Sequence, residues 1–309
     1  MHEWVRDLAA RRFPKGPRSQ GGQDGILAEI FRHVPTVNSP PFCVECGFNA
    51  DTLTGGTGSN VATLVLDHGW RALLLDVDHE NQSINLRREF LTSANVVDVF
   101  AKWIVPPQPD YISIDVDSVD LWLFRSLLPH YRPAIYSVEY NPHFPLDVAV
   151  TCIDDTGIRW QKDRAYGASL RALIAVAREH GYSLVAVETG LDAFFVRDDL
   201  IDDGSGAIAP PLEHWRPATR LRLHAPVLDA RRIGLFLDYE IWRETGGDSA
   251  AARRAAAAAC RKHLCAGAWA LRLKRFLARM LGSDPRKRSD RGRIDQSPDR
   301  GNRLPTQAS

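Results

Sequence analysis

The chain has 309 residues and a formal charge of +1. It is long enough for one large domain or two small ones, and its balance of charge gives no reason to expect nucleic acid or an anionic membrane as partner. A 44% hydrophobic content marks a globular protein, and five cysteines in largely apolar or helical contexts argue against a disulfide framework. There is no signal-peptide pattern and no run of roughly 18 to 20 apolar residues, so a cytoplasmic protein is expected.

Trp4, Val5 and Leu8 share a helical face in a basic lead-in, residues 1–18, that Pro14 and Pro17 end. Asp24 to His33 reads as a short helix and Phe42 to Cys46 as the first strand, followed by Gly47 and a polar turn through Gly58. Asn60 to His68 is a helix closed by Gly69, and Arg71 to Leu75 is the second strand. Glu80 to Arg88 is expected as helix and Glu89 to Leu91 as a third strand. A helix over Asn95 to Trp103, a strand over Tyr111 to Ile114, a helix over Leu121 to Leu128 and a strand over Pro133 to Val138 continue the alternation. Such alternation implies a parallel α/β sheet with helices on both faces.

A helix from Ala168 to His180 then precedes strands at Ser183 to Val187 and Ala193 to Val196. Only five residues separate these two strands, whereas a parallel crossover needs about a dozen, so the pair should be antiparallel. Beyond the 19–200 domain the order is lost in a loop-rich stretch, 201–247. An Ala-rich basic helix, 248–282, follows, with Asp248 or Ser249 as N-cap and Trp269, Leu273, Phe276, Leu277 and Met280 on one face. It should pack on the domain or self-associate; peripheral membrane contact is the alternative. The polar segment 283–309 has the composition of a disordered tail.

Three strands run into acids at their carboxyl ends: Asp76 and Asp78 after the second, Asp115 and Asp117 after the fourth, Glu139 and Asn141 after the fifth. In a parallel sheet these ends open on one ligand crevice. Asp76 is placed to accept the ribose hydroxyls of a nucleoside. Asp115, Asp117, Glu139 and Asn141 supply a base and positioning groups for a substrate hydroxyl, hold Mg²⁺ or Ca²⁺, or serve structural hydrogen bonds. Glu45, Gly47 and Asn49 line the turn after the first strand, where a glycine lets backbone approach a ligand. The turn is not GxGxxG, and Gly55 to Asn60 lacks the Lys-Ser/Thr ending of a P-loop, so a bound pyrophosphate is not expected. Cys43 and Cys46 have CxxC spacing, but strand alternation sends them to opposite faces. No histidine pair has metal-ligand spacing, and His143, close behind Asn141, is the one histidine near the proposed site.

The upstream Ser19-Gln20-Gly21-Gly22-Gln23-Asp24-Gly25-Ile26-Leu27 resembles a motif of one branch of the FkbM-type methyltransferases. In order, Val44-Glu45-Cys46-Gly47, Leu74-Leu75-Asp76, Ser113-Ile114-Asp115-Val116-Asp117, Val138-Glu139-Tyr140-Asn141-Pro142, Gly167-Ala168-Ser169 and Ala193-Phe194-Phe195-Val196-Arg197 extend the resemblance to about Leu200. It implies a Rossmann-like class I methyltransferase sheet of order 3-2-1-4-5-7-6 and S-adenosylmethionine as methyl donor. The implied acceptor is a hydroxyl on a sugar, glycan or secondary metabolite. Glu45, Gly47 and Asp76 would hold the cofactor, and Asp115 would begin the acceptor side. The chain departs from the family where Asp51-Thr52 and Asp117-Ser118 stand in place of Asp-Gly. Two rival expectations are a metal-dependent glycosyltransferase using Asp115 and Asp117, and a binding module that keeps the fold without catalysis.

Overall fold

A computed structural model describes residues 1–219 and 230–264. Helices α1 (Glu3–Ala10) and α2 (Gln23–His33) precede β1 (Phe42–Cys46), and α3 (Ala62–His68) leads to β2 (Arg71–Asp76). There follow β3 (Leu86–Arg88), α4 (Val96–Lys102), β4 (Tyr111–Ile114), α5 (Asp120–Leu127) and β5 (Ile135–Glu139). Next come β6 (Val150–Cys152), α6 (Leu170–Glu179), β7 (Tyr182–Val187) and β8 (Asp192–Arg197), then β9 (Phe236–Asp238), α7 (Tyr239–Glu244) and α8 (Ser249–His263).

Seven strands form one sheet in the order β3-β2-β1-β4-β5-β8-β7. The first five are parallel, and β8 runs antiparallel to both of its neighbours. The order differs from the expected 3-2-1-4-5-7-6 because β6, unforeseen in the sequence, takes a number without joining this sheet. It pairs with β9 in a separate two-stranded sheet. The third strand is also displaced from its expected place at 89–91. Asn81 accepts from the Ser83 backbone and exchanges backbone bonds with Leu86, while Asn85 turns the chain at φ 54°. These local bonds favour a 3-10 turn at Gln82–Ile84 over the expected helix.

Alternation along the strands divides the apolar residues into two layers. Val44, Cys46, Leu73, Leu75, Ile112 and Ile114 join one core with residues of α4, α5 and α6; Cys43, Leu74, Tyr111 and Ile135 join the other with α1, α2 and α3. Cys43 and Cys46 therefore lie on opposite faces, as the alternation required, and both are buried free thiols. Each fully buried Leu or Ile contributes about 1.5–3 kcal/mol.

Met1–Ala266 forms one compact unit; the other unit, Gly267–Ser309, lies outside the described residues. The Asp248 carboxylate caps α8 by accepting from Ala250 and Ala251, and Ala252, Ala256 and Cys260, four residues apart, turn one stripe inward. Trp269 to Met280 and the 283–309 tail fall outside the described residues. No helix among the described residues is long and apolar enough to cross a membrane.

Candidate functional site

The sheet order reverses between β1 and β4, which carry the chain to opposite sides. Crevices form at such points outside the carboxyl ends of parallel strands. A cavity of about 600 Å³ lies there, bordered by Glu45, Gly47, Asn49, Asp76, Asp115, Asp117 and Glu139. The structure thus brings together seven of the eight expected site residues. Asn141 is the exception. It is fully buried outside the cavity lining, with its amide nitrogen donating to the Arg164 and Tyr166 carbonyls and its oxygen accepting from the His143 backbone. These bonds commit it to holding a loop, which corrects its expected place at the acceptor. His143 also lies outside the lining, and burial lowers its pKa to about 4.

Gly47 sits at φ 88°, and a Cβ there would lie 1.6 Å from the Asp115 carbonyl oxygen. Its glycine identity answers first to the close approach of the β1 and β4 loops. Asp76 ties two loops together: Oδ2 accepts from the Asn49 amide at 3.0 Å, and Oδ1 accepts from Asp78 and His79 at 2.8 and 2.9 Å. Oδ2 retains a lone pair for one further donor. Asn49 itself, at φ 54°, reaches this carboxylate through its backbone.

Glu45 accepts from the Ser59 hydroxyl and from the Asn60 amide at 2.8 Å. Ser59 in turn accepts from the Val61 and Ala62 amides, so the carboxylate organises the start of α3. Burial raises Glu45 to about 7, against the opposing pull of these two donors.

On the other side of the reversal, Asp115, Asp117 and Glu139 place a carboxylate oxygen each within 4.8 Å of one another. Burial raises all three, and for Asp115 the nearby Asp192 and Asp117 charges add to it. Asp120, at the first turn of α5, accepts from the Val116 and Ser118 amides and is raised by burial to about 7. It fixes the loop that carries Asp115 and Asp117.

Asp192 lines the cavity but lies outside the expected set, which draws on the carboxyl ends of the strands. Since β8 is antiparallel, its beginning lies at the edge where the parallel strands end, and Asp192 is the register partner of Glu139. The expected antiparallel hairpin carried that signal. Asp192 is 3% exposed and lines the cavity; its Oδ2 accepts from Gln23 at 2.9 Å and Asn60 at 3.2 Å. From Asn60 a buried polar chain continues through Ser113 and Ser137 to Tyr111.

A second unforeseen wall comes from the loop between β6 and α6, which contributes Ile158, Arg159, Trp160 and Tyr166. Arg232 holds this loop by pairing with Asp163 and donating to the Arg159 carbonyl. The Arg159 guanidinium lies 4.9 Å from the Phe90 ring, and Phe90 and Trp160 stand 41% and 42% exposed at the cavity. Among the described residues lining the cavity, nine carboxylates face one guanidinium, Arg159, and one imidazole, His79. A site of this charge attracts cations and repels bare phosphate. No protein-family model matches the chain, and no curated protein matches it.

Proposed function

We propose that the chain is an S-adenosylmethionine-dependent methyltransferase acting on a hydroxyl oxygen of a small molecule or glycan. The reading rests on one observation: Glu45, Gly47 and Asp76 border the same cavity as Asp115, Asp117 and Glu139, at the reversal of strand order. Charge supports it. The methyl donor carries an ammonium and a sulfonium against one carboxylate, so an acid-lined cavity favours it over a dinucleotide.

In this reading Asp76 Oδ2 accepts a ribose hydroxyl, and Glu45 faces the ammonium. The donor supplies an already electrophilic methyl group, which leaves alignment as the main task of the protein. Asp115 or Asp117 takes the acceptor's proton; burial raises both, and a raised carboxylate is a stronger base toward a hydroxyl. Glu139 orients the acceptor. Phe90 and Trp160 offer apolar faces to the acceptor's carbon skeleton. A cytoplasmic setting belongs to the same proposal.

Isothermal titration of the full chain with S-adenosylmethionine and with its demethylated product tests the reading. Saturable binding is expected, weakened more than about tenfold in Asp76→Asn, equivalent to about 1.4 kcal/mol. Absence of binding by both ligands would overturn it. The proximity of Asp115, Asp117 and Glu139 favours, as a second reading, a metal-dependent glycosyltransferase. Cation-dependent binding of a nucleotide-sugar without affinity for S-adenosylmethionine would put that reading first. Donor binding without turnover across a broad panel of hydroxyl compounds would instead indicate a binding module.

A further inference from the structure

The acceptor side of the cavity holds more negative charge than its surroundings compensate. Three oxygens, one each from Asp115, Asp117 and Glu139, lie within 4.8 Å of one another, so a single point lies within about 2.8 Å of all three. Oxygen ligands stand about 2.3–2.6 Å from Ca²⁺ and about 2.0–2.1 Å from Mg²⁺. A small contraction of the triad would therefore seat Ca²⁺, and a larger one, or an intervening water, would seat Mg²⁺.

Independent of that triangle, Asp192 presents an unanswered oxygen. It is 3% exposed, lines the same cavity and stands opposite Glu139 in the sheet register, yet its Oδ1 is buried without a hydrogen-bond partner. Glu139 Oε2 is buried without a partner as well. The two donors that reach Asp192, from Gln23 and Asn60, both go to its Oδ2. Among the described residues none of these four carboxylates forms an ion pair. Buried acceptors left bare are destabilising, and more so when charged. A cation seated at the triad would offset the negative charge that both residues bring to this wall of the cavity.

We propose that Asp115, Asp117 and Glu139 bind one divalent cation of the hard, oxygen-preferring class, Ca²⁺ or Mg²⁺, with the Asp192 carboxylate adding negative charge behind them. An all-carboxylate set suits hard, oxygen-preferring ions better than the softer Zn²⁺ and Cu²⁺. The three side chains leave coordination positions for water or for oxygens of the acceptor. A hydroxyl bound there is acidified by the ion. The cation site stands on these carboxylates alone and does not depend on the identity of the methyl donor.

The test uses the full chain stripped with EDTA, then titrated with CaCl₂, MgCl₂ or MnCl₂ in the absence of any nucleoside, by calorimetry and thermal melting. Saturable binding of one ion with a rise in Tm is expected. Asp117→Asn and Glu139→Gln should each weaken that binding more than about tenfold. Without cation, both variants should melt at or above the temperature of the unaltered protein, because one of several repelling carboxylates is gone, which also shows that they fold. The proposal is overturned if none of the three ions binds up to about 10 mM, beyond the range of weak Ca²⁺ sites. It is equally overturned if both variants bind as the unaltered protein does.

Discussion

The side-chain amide of Gln23 donates to Asp192 Oδ2 at 2.9 Å, across 169 residues of sequence. The bond joins the first helix turn of the Ser19–Leu27 motif to the last hairpin of the sheet, and both partners are almost wholly buried. Gln23→Ala is expected to lower stability by about 1.5–3 kcal/mol, the range for hydrogen bonds to charged groups. Gln20→Ala is the control: its amide reaches the Thr57 hydroxyl at the surface, and the change should stay within about 0.5 kcal/mol. Urea unfolding of the two variants measures the contrast, and equal losses would remove the special standing of the buried bond.

Glu45 sets a pH dependence. Its pKa rises from 4.5 to about 7 on folding, chiefly through burial. As pH climbs, the unfolded chain gives up this proton first. The contribution to stability is therefore full below about 4.5 and falls as pH rises toward 7, by on the order of 3 kcal/mol. Glu45→Gln cannot titrate, so its stability relative to the unaltered protein should climb across that window and level off above it. Urea unfolding at closely spaced pH values checks this; a difference that stays constant with pH would deny the buried charge its role.

Gly47→Ala addresses the meeting of the β1 and β4 loops. The added methyl would overlap the Asp115 carbonyl oxygen, and φ 88° already disfavours any side chain. A loss above about 3 kcal/mol is expected, or a folded protein whose Asp115 loop has moved and which loses the S-adenosylmethionine binding proposed above. Thermal melting followed by calorimetry distinguishes these outcomes. Unchanged stability together with unchanged binding would contradict the packing described.

Arg232 clamps the loop that carries Arg159 and Trp160 through its bonds to Asp163 and to the Arg159 carbonyl. Lys162 in that loop is exposed. Arg232→Ala should speed tryptic cleavage after Lys162 by about tenfold while global Tm changes little, because local opening governs nicking of such loops. Unaltered cleavage would show that the loop is held by its own packing.

Much of the sheet was legible because strand periodicity and turn spacing are local properties. The Asp76, Asp115 and Glu139 positions followed from one rule, that parallel strands open their ligand crevice at carboxyl ends. Asp192 escaped that rule by sitting at the start of an antiparallel strand. Asn141 departs from expectation for a different reason: next to an acidic strand end it looks like a substrate contact, and only folding spends its amide on the 164 and 166 carbonyls. The β6–α6 wall was illegible because its position depends on Asp163 meeting Arg232, 69 residues away. Such encounters leave no periodic trace.

The pairing of β6 with β9 has a practical corollary for anyone trimming the gene. Its register runs from Val150 opposite Asp238 to Cys152 opposite Phe236, and Phe236, Leu237 and Tyr239 are buried. A protein ending near residue 200 would shed the partner of the buried strand β6 and the arginine that anchors a cavity wall. Binding or activity assays on such a shortened product would report on a damaged cavity rather than on the natural one.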